Sequence, residues 1–226
     1  AATKHYFIFR PGQATEISVN KEGWLDKKNP FTFTCLTDAP YLEFTIKLYP
    51  ERGGVTGQLS LLNPGDEIIL RKPWGCIEYK GPGYFIAGGA GITPFLAILR
   101  QLQREGKARE SKLFYTNKTD QDIILVDELK EILGNSAHFT VTRQADSAYD
   151  TRRIDENFLN AEIDDFGRHF YVCGPDPMIA AVNQILEKLG AEFIADDEYP
   201  GNPAGIGIRF RPTGGEAGGD GNCDCG

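Results

Sequence analysis

The chain has 226 residues, and its 24 Lys+Arg against 32 Asp+Glu leave a formal charge of −8. With 41% hydrophobic, 11% aromatic and 25% charged residues, it has the composition of an ordinary globular protein rather than a fibrous or disordered one. No apolar run approaches the ~18–20 residues of a membrane helix, no signal-peptide pattern opens the chain, and the acidic balance argues against a nucleic-acid binder.

Residues 1–80 read as β. Phe7–Arg10 leads into the turn Pro11-Gly12, and Ala14–Val19 then alternates apolar and polar side chains. Strand-like runs follow at Phe31–Leu36, Leu42–Leu48 and Glu67–Leu70, separated by Pro, Gly, Asn and Asp. Short β-branched and aromatic runs with such breaks predict an antiparallel sheet or small barrel. Gly53-Gly54-Val55-Thr56, ahead of Leu59, predicts a glycine turn feeding one short helix. The rhythm changes at Gly81-Pro82-Gly83, where a second domain is expected to begin and to run to residue 199. Strands at Tyr84–Ala87, Lys112–Thr116, His138–Thr142 and His169–Cys173 alternate with helices at Thr93–Arg104, Gln121–Leu133, Asp155–Leu159 and Pro175–Leu189, and Phe193–Ile194 closes the series. Such alternation predicts βαβ crossovers and a parallel sheet covered on both faces. Nine of the 26 glycines fall within residues 201–226, so residues 200–226 read as a flexible tail. The five cysteines, Cys35, Cys76, Cys173, Cys223 and Cys225, show no disulfide spacing, which favours reduced thiols and a cytoplasmic protein.

Gly88-Gly89-Ala90-Gly91-Ile92-Thr93-Pro94 follows an apolar strand and opens a helix with Phe95, Ile98, Leu99 and Leu102 on one face. Glycines there admit a ligand to the backbone, Thr93 is suited to cap the helix and Pro94 to its first turn. Exposed amides at the positive end of the helix dipole favour a phosphate; without a ligand, the same residues would simply make a tight turn. Cys173-Gly174-Pro175-Asp176-Pro177-Met178 lies at another strand-to-helix junction. In a parallel sheet both junctions occupy the same edge and so face one crevice. Cys173 would then either point into the crevice or act as a small buried hydrophobe. Asn29-Pro30-Phe31-Thr32 offers an aromatic beside a hydroxyl on one strand, suited to a planar ring or, equally, to an ordinary core. No nucleophile–base pair and no metal-ligand spacing is visible, so no metal is expected.

Pro11-Gly12-Gln13, Pro30-Phe31-Thr32, Gly54-Val55-Thr56, Gly89-x-Gly91-x-x-Pro94 and Cys173-Gly174-Pro175-x-x-Met178, in this order, resemble the ferredoxin–NADP⁺ reductase superfamily over roughly residues 7–199. The similarity is strongest to its flavodoxin/ferredoxin reductase and flavin reductase branch. It implies a flavin-binding antiparallel β-barrel at 1–80, then an NAD(P)-binding α/β domain at 81–199. The implied cofactors are FAD, with FMN as the alternative, and NADPH or NADH. By the resemblance, Phe31 packs on the isoalloxazine, Thr32 bonds near flavin N5, and Gly54, Val55 and Thr56 meet the flavin phosphate. Gly88, Gly89, Ala90, Gly91, Thr93 and Pro94 hold the nucleotide pyrophosphate, while Cys173, Gly174, Pro175 and Met178 lie by the nicotinamide. Glu198 and Tyr199 match an acidic-aromatic pair that borders the flavin. Thr32, Cys173 and Glu198 are the implied catalytic positions. The family's phosphate-binding Arg is Asn29 here, leaving Lys27, Lys28 or Lys47 to substitute, and only ten residues precede Pro11, which leaves room for a barrel incomplete at its N-terminus or a missing natural start.

The expected activity is NAD(P)H-dependent flavoprotein oxidoreduction with ferredoxin or flavodoxin as acceptor; free flavin is the competing substrate. A third possibility is a non-catalytic electron-transfer subunit of a larger enzyme, whose four-thiolate cluster Cys223 and Cys225 alone would not supply. The second strand of the parallel sheet ends without a carboxylate before Asp120, and Thr142-Arg143 ends the third. Arg143, seconded by Lys118, is therefore expected to favour NADPH through its 2′-phosphate.

Overall fold

The computed structural model describes residues 7–48, 53–75 and 77–196. Glu198, Tyr199, Cys76, Cys223, Cys225 and the glycine-rich 200–226 segment lie outside them.

The first part contains β1 (Ala14–Val19), β2 (Asn29–Thr32), the short α1 (Val55–Leu59) and β3 (Ile68–Leu70). The strands form an antiparallel sheet in the order β2-β1-β3, with Ala14 opposite Thr32 and Ser18 opposite Ile69. The strands expected at Phe31–Leu36 and Leu42–Leu48 shrink to β2 and one bridge between Phe33 and Phe44. Packing explains the difference: Phe33 is fully buried, stacked on Phe9 with centroids 4.2 Å apart and tilted against Phe44, so ring packing takes the place of a ladder.

The second part is a five-stranded parallel sheet of β4 (Gly83–Gly88), β5 (Lys112–Asn117), β6 (Ala137–Val141), β7 (His169–Cys173) and β8 (Phe193–Asp196). Its order is β6-β5-β4-β7-β8, with every pairing parallel. The connections are α2 (Thr93–Arg104), α3 (Val126–Leu133), α4 (Glu156–Glu162) and α5 (Asp176–Lys188). β4 is buried along its whole length, as a central parallel strand with helices on both faces must be. Alternation sends Phe85, Tyr115 and Tyr171 toward α2 and α3, and Tyr84, Phe114 and Phe170 toward α4 and α5. Truncating Phe85, which has no exposed surface, would cost about 3–5 kcal/mol.

α2, β7 and β1 keep the ends expected from their patterns. The helix expected at Gln121–Leu133 instead begins at Val126, after a 3-10 turn at Asp120–Asp122. There the Asp122 carboxylate accepts from both the Thr119 amide and hydroxyl, and Leu125 adopts a left-handed conformation with φ 52°. Local capping and that backbone reversal divide what periodicity alone would join.

Among the described residues, Arg100, Arg104 and Lys47 tie the two parts together. Arg100 on α2 donates Nη1 to the Thr34 carbonyl at 2.5 Å and to Glu43, and holds Glu128 on α3 through Nε at 2.5 Å and Nη2 at 2.9 Å. Arg104 forks onto Asp38 at 2.9 and 2.7 Å. Lys47 meets Asp122 at 2.6 Å. Among the described residues no helix is long and apolar enough to cross a membrane.

Candidate functional site

From β4 the chain moves outward through β5 and β6, then returns to β7 on the other side of β4. The winding reverses between β4 and β7, and in open parallel sheets ligands bind beyond the strand C-termini at that reversal. The loops after those two strands are Gly89–Pro94 and Gly174–Pro175. They wall a cleft of about 1030 Å³ whose opposite side comes from the antiparallel sheet, through Ala14, Pro30 and Thr32, and from Lys47.

Gly89–Ile92 form a 3-10 turn that runs straight into α2. Gly89 has φ 55°, a left-handed value that costs a glycine little. Its carbonyl accepts from the Tyr115 hydroxyl at 2.9 Å, while that hydroxyl accepts from the Ile124 amide at 3.3 Å. Burial pushes the Tyr115 phenol up to about 12, so it remains a neutral donor that pins the turn. Thr93 does not cap α2: it is the first helical residue, the cap position belongs to Ile92, and no side-chain cap bond forms. The 3-10 turn supplies helical backbone before Thr93, leaving it no extended cap geometry to adopt. Pro94 does occupy the first turn.

The cleft wall gathers Thr32, Gly88, Gly89, Ala90, Gly91, Thr93, Pro94, Lys118, Cys173, Gly174, Pro175 and Met178. Cys173 is 6% exposed at the end of β7, beside the Gly91 turn. Phe31 is not part of the wall; strand alternation puts Pro30 and Thr32 on the cleft side and Phe31 on the other. Gly54, Val55 and Thr56 also lie off the wall, at the start of α1, where Gly54 is the cap residue and Val55 is buried. Arg143 is exposed and off the wall, its amide bonded to the Lys118 carbonyl at 2.9 Å. The basic side chains that do line the cleft are Lys47, Lys118 and Arg153.

Arg153 and Ile154 reach the wall because the loop after β6 folds back along that strand. Asp150 bridges to Thr140, its carbonyl accepts from the Val141 amide at 2.8 Å, and its carboxylate meets His138 at 2.9 Å and the Arg152 guanidinium. The hydrogen bond from Arg152 holds the Asp150 carboxyl well below the usual carboxylate range, outweighing partial burial. Arg152 continues to Glu162 on α4 at 2.7 Å. Sequence reasoning missed Arg153, Asn117 and Asp122 on this wall; the one available signal was their nearness to the expected ends of the second and third strands.

The donor set suits a dinucleotide. Glycine backbone beneath a helix start fits a pyrophosphate, and Asn117, 6% exposed at the end of β5, lies on the same wall. Opposite, the Thr32 hydroxyl and Pro30 offer a hydrogen-bonding and an apolar contact suited to a flavin ring edge. Among the described residues no cluster of three His, Cys, Asp or Glu side chains is arranged to hold a metal ion.

Residues 85–184 match the oxidoreductase NAD-binding domain family. The chain is 31% identical over 200 residues to the reductase component of propane 2-monooxygenase from Rhodococcus jostii, the match covering 81% of this chain and 53% of that protein. It thus spans about half the length of that relative. Human NADH-cytochrome b5 reductase 1 is 28% identical over 227 residues, covering 83% of this chain and 74% of the relative. The crystal structure of a ferredoxin NADP⁺ reductase from Neisseria gonorrhoeae with bound FAD and NADP superposes with TM-score 0.67 at 20% identity, over 83% of this chain and 82% of that one. An antiparallel sheet set against a five-stranded parallel sheet, with paired glycine loops at the reversal point, is the fold the chain shares with that structure, and its residues 85–184 carry the match to the oxidoreductase NAD-binding domain.

Proposed function

We propose that the chain is an NAD(P)H-dependent flavoprotein oxidoreductase that holds FAD on the antiparallel side of the cleft and the nicotinamide nucleotide on the parallel side. One observation carries this reading: a single cleft joins Thr32 of β2 to the Gly88–Pro94 turn and to Cys173-Gly174. The cofactors supply hydride acceptance and its separation into single electrons. The chain's own residues bind and orient. Amides of the Gly89–Ile92 turn and the Lys118 ammonium group would neutralise phosphate charge, while the Lys47 ammonium is held by the Asp122 carboxylate. The Thr32 hydroxyl donates to the flavin edge, and Cys173 with Gly174 gives a close, apolar floor for the nicotinamide. Pro30, Ile154 and Met178 line the cleft and would keep water from cofactors bound there. Lys118 and Arg153 favour NADPH through its 2′-phosphate.

The acceptor we propose is a one-electron protein carrier of the ferredoxin or flavodoxin type. The relatives named as reductase components of oxygenases, of which this chain spans about half, support a second reading: an electron-transfer module of a longer oxygenase reductase. The test is direct. Purified protein should carry stoichiometric yellow flavin through gel filtration, and NADPH or NADH should bleach it anaerobically. Protein that neither retains nor reduces added FAD would sink the proposal, and turnover of free flavin without retention would assign it to the flavin reductases instead.

A further inference from the structure

Two arginines stand side by side in the loop that leads from β6 to α4, and the fold uses them differently. Arg152 is fixed at several points. Its amide donates to one oxygen of the Asp150 carboxylate at 2.8 Å, its Nε to the other at 2.8 Å, and its Nη2 to Glu162 on α4 at 2.7 Å. Its guanidinium carbon also lies 4.8 Å from the centre of the Phe158 ring, a buried residue of α4. Arg153 is the opposite case. Among the described residues its guanidinium makes no hydrogen bond or ion pair, and it lines the cleft, whereas Arg152 is off the wall.

The chain on either side of Arg153 is tied down. Its own carbonyl accepts from the Asp155 amide at 3.0 Å, and Ile154 packs against the apolar core under α4 and α5. The Asp155 carboxylate caps α4 by accepting from the Phe158 amide at 2.9 Å. On the other flank Asp150 is bound to β6, its carbonyl taking the Val141 amide at 2.8 Å. Arg152 joins the two anchorages, holding Asp150 with one part of its guanidinium and Glu162 with another. A planar guanidinium does this because its donors diverge in one plane; an ammonium has no such fork. A binding side chain that is already directed at its ligand loses less freedom on association than one that must be ordered first.

We propose that Arg152 is a positioning residue, a brace that holds the loop so that Arg153 meets the 2′-phosphate of NADPH. The inference rests on the reading of the cleft as a nicotinamide-nucleotide site with Arg153 facing that phosphate.

The test measures binding rather than turnover. Full-chain protein supplied with FAD would be titrated calorimetrically with 2′-phospho-ADP-ribose and with ADP-ribose, which differ only in that phosphate. Arg152→Gln should bind 2′-phospho-ADP-ribose about fivefold more weakly, within the coupling range of residues that share one hydrogen-bond network, and bind ADP-ribose as wild type does. Arg152→Lys keeps the charge but loses the fork, and should match Arg152→Gln. In an Arg153→Ala background, Arg152→Gln should change neither affinity. Three results overturn the inference: an equal loss for both ligands, which marks a structural role; full recovery with lysine, which marks a role for charge alone; and a loss that persists without Arg153. If the Arg152 variants do not fold, Glu162→Gln releases one end of the brace and should weaken 2′-phospho-ADP-ribose selectively; unchanged affinity there refutes the brace. Wild type that binds neither ligand, or Arg153→Ala protein that binds both as wild type does, would refute the underlying reading of the cleft, and this inference with it. If Arg153→Ala weakens only the phosphorylated ligand while the Arg152 variants match wild type, the site stands and the brace alone fails.

Discussion

Gly91 and the end of β7 are in backbone contact: a Cβ on Gly91 would overlap the Cys173 carbonyl oxygen and lie 2.6 Å from the Gly174 amide nitrogen. No side chain can swing aside to relieve this, because the obstructing atoms are main chain. Gly91→Ala must therefore push the β4 and β7 loops apart. We expect a stability loss of about 1–3 kcal/mol, the usual cost of overpacking, and at least a tenfold fall in the rate of flavin reduction by NADPH in stopped flow. Gly88→Ala is a useful contrast. Its Cβ would meet the Met178 sulfur, at the end of a flexible side chain, with Pro175 Cδ at 3.0 Å, so a milder effect is expected.

Arg100 couples the two halves of the molecule. Burial pushes the Glu43 carboxyl up, but hydrogen bonds from Arg100 and Thr34 and the Arg100 charge outweigh it, leaving its pKa lowered. Arg100→Met would strand Glu43, Glu128 and the Thr34 carbonyl at once. The Arg100 side chain is 18% exposed, so the expected loss is about 2–3 kcal/mol, below the range for a fully buried pair. Arg100→Lys should recover only part of it, because an ammonium cannot reproduce the guanidinium fork. Urea denaturation of the three proteins checks this; equal stability of Met and wild type would show that the tie carries no weight.

Asp150 predicts a pH dependence with a definite sign. Its folded pKa lies below the unfolded value of about 4. The stabilisation it provides is thus complete above that value and fades as pH falls toward the folded pKa. Asp150→Asn should cost about 1–2 kcal/mol at pH 7 for the charged hydrogen bonds lost. The gap from wild type should narrow steadily below about pH 4. Thermal melts of both proteins from pH 7 to pH 2 measure it, and a gap that widens toward acid contradicts the assignment. Because Asp150 folds the loop back to the cleft, the variant should also weaken nucleotide binding.

The choice between nucleotides separates two arginines. All three side chains are exposed, but Arg153 and Lys118 line the cleft, whereas Arg143 lies off its wall. Arg153→Ala should lower kcat/KM for NADPH by an order of magnitude or more, the range for a charge-assisted hydrogen bond, and leave NADH nearly unchanged. Lys118→Ala should act in the same direction with smaller effect. Arg143→Ala should leave the NADPH-to-NADH ratio as it is, and a collapse of that ratio would return the role to Arg143.

Local chemistry alone determined a large part of this protein. The apolar spacing of Phe95, Ile98, Leu99 and Leu102 marks α2 to its ends, and the strand–helix alternation from Gly83 onward demands a parallel sheet. That topology in turn puts the Gly88–Pro94 and Cys173–Gly174 loops on one edge, so the heart of the cleft was legible before any coordinates. What only the tertiary structure decided lies in the segments between regular elements. Thr142-Arg143 and Arg152-Arg153 look alike as strings of residues; the fold separates them because Asp150 pairs with Thr140, His138 and Arg152, turning the loop so that Arg153 lines the cleft while Arg143 does not. Lys47 and Asp122 are 75 residues apart in the chain yet join on the cleft wall. Helices and strands follow from contacts a few residues apart, which periodicity records; loop direction and amide satisfaction depend on partners distant in sequence, which no local pattern encodes.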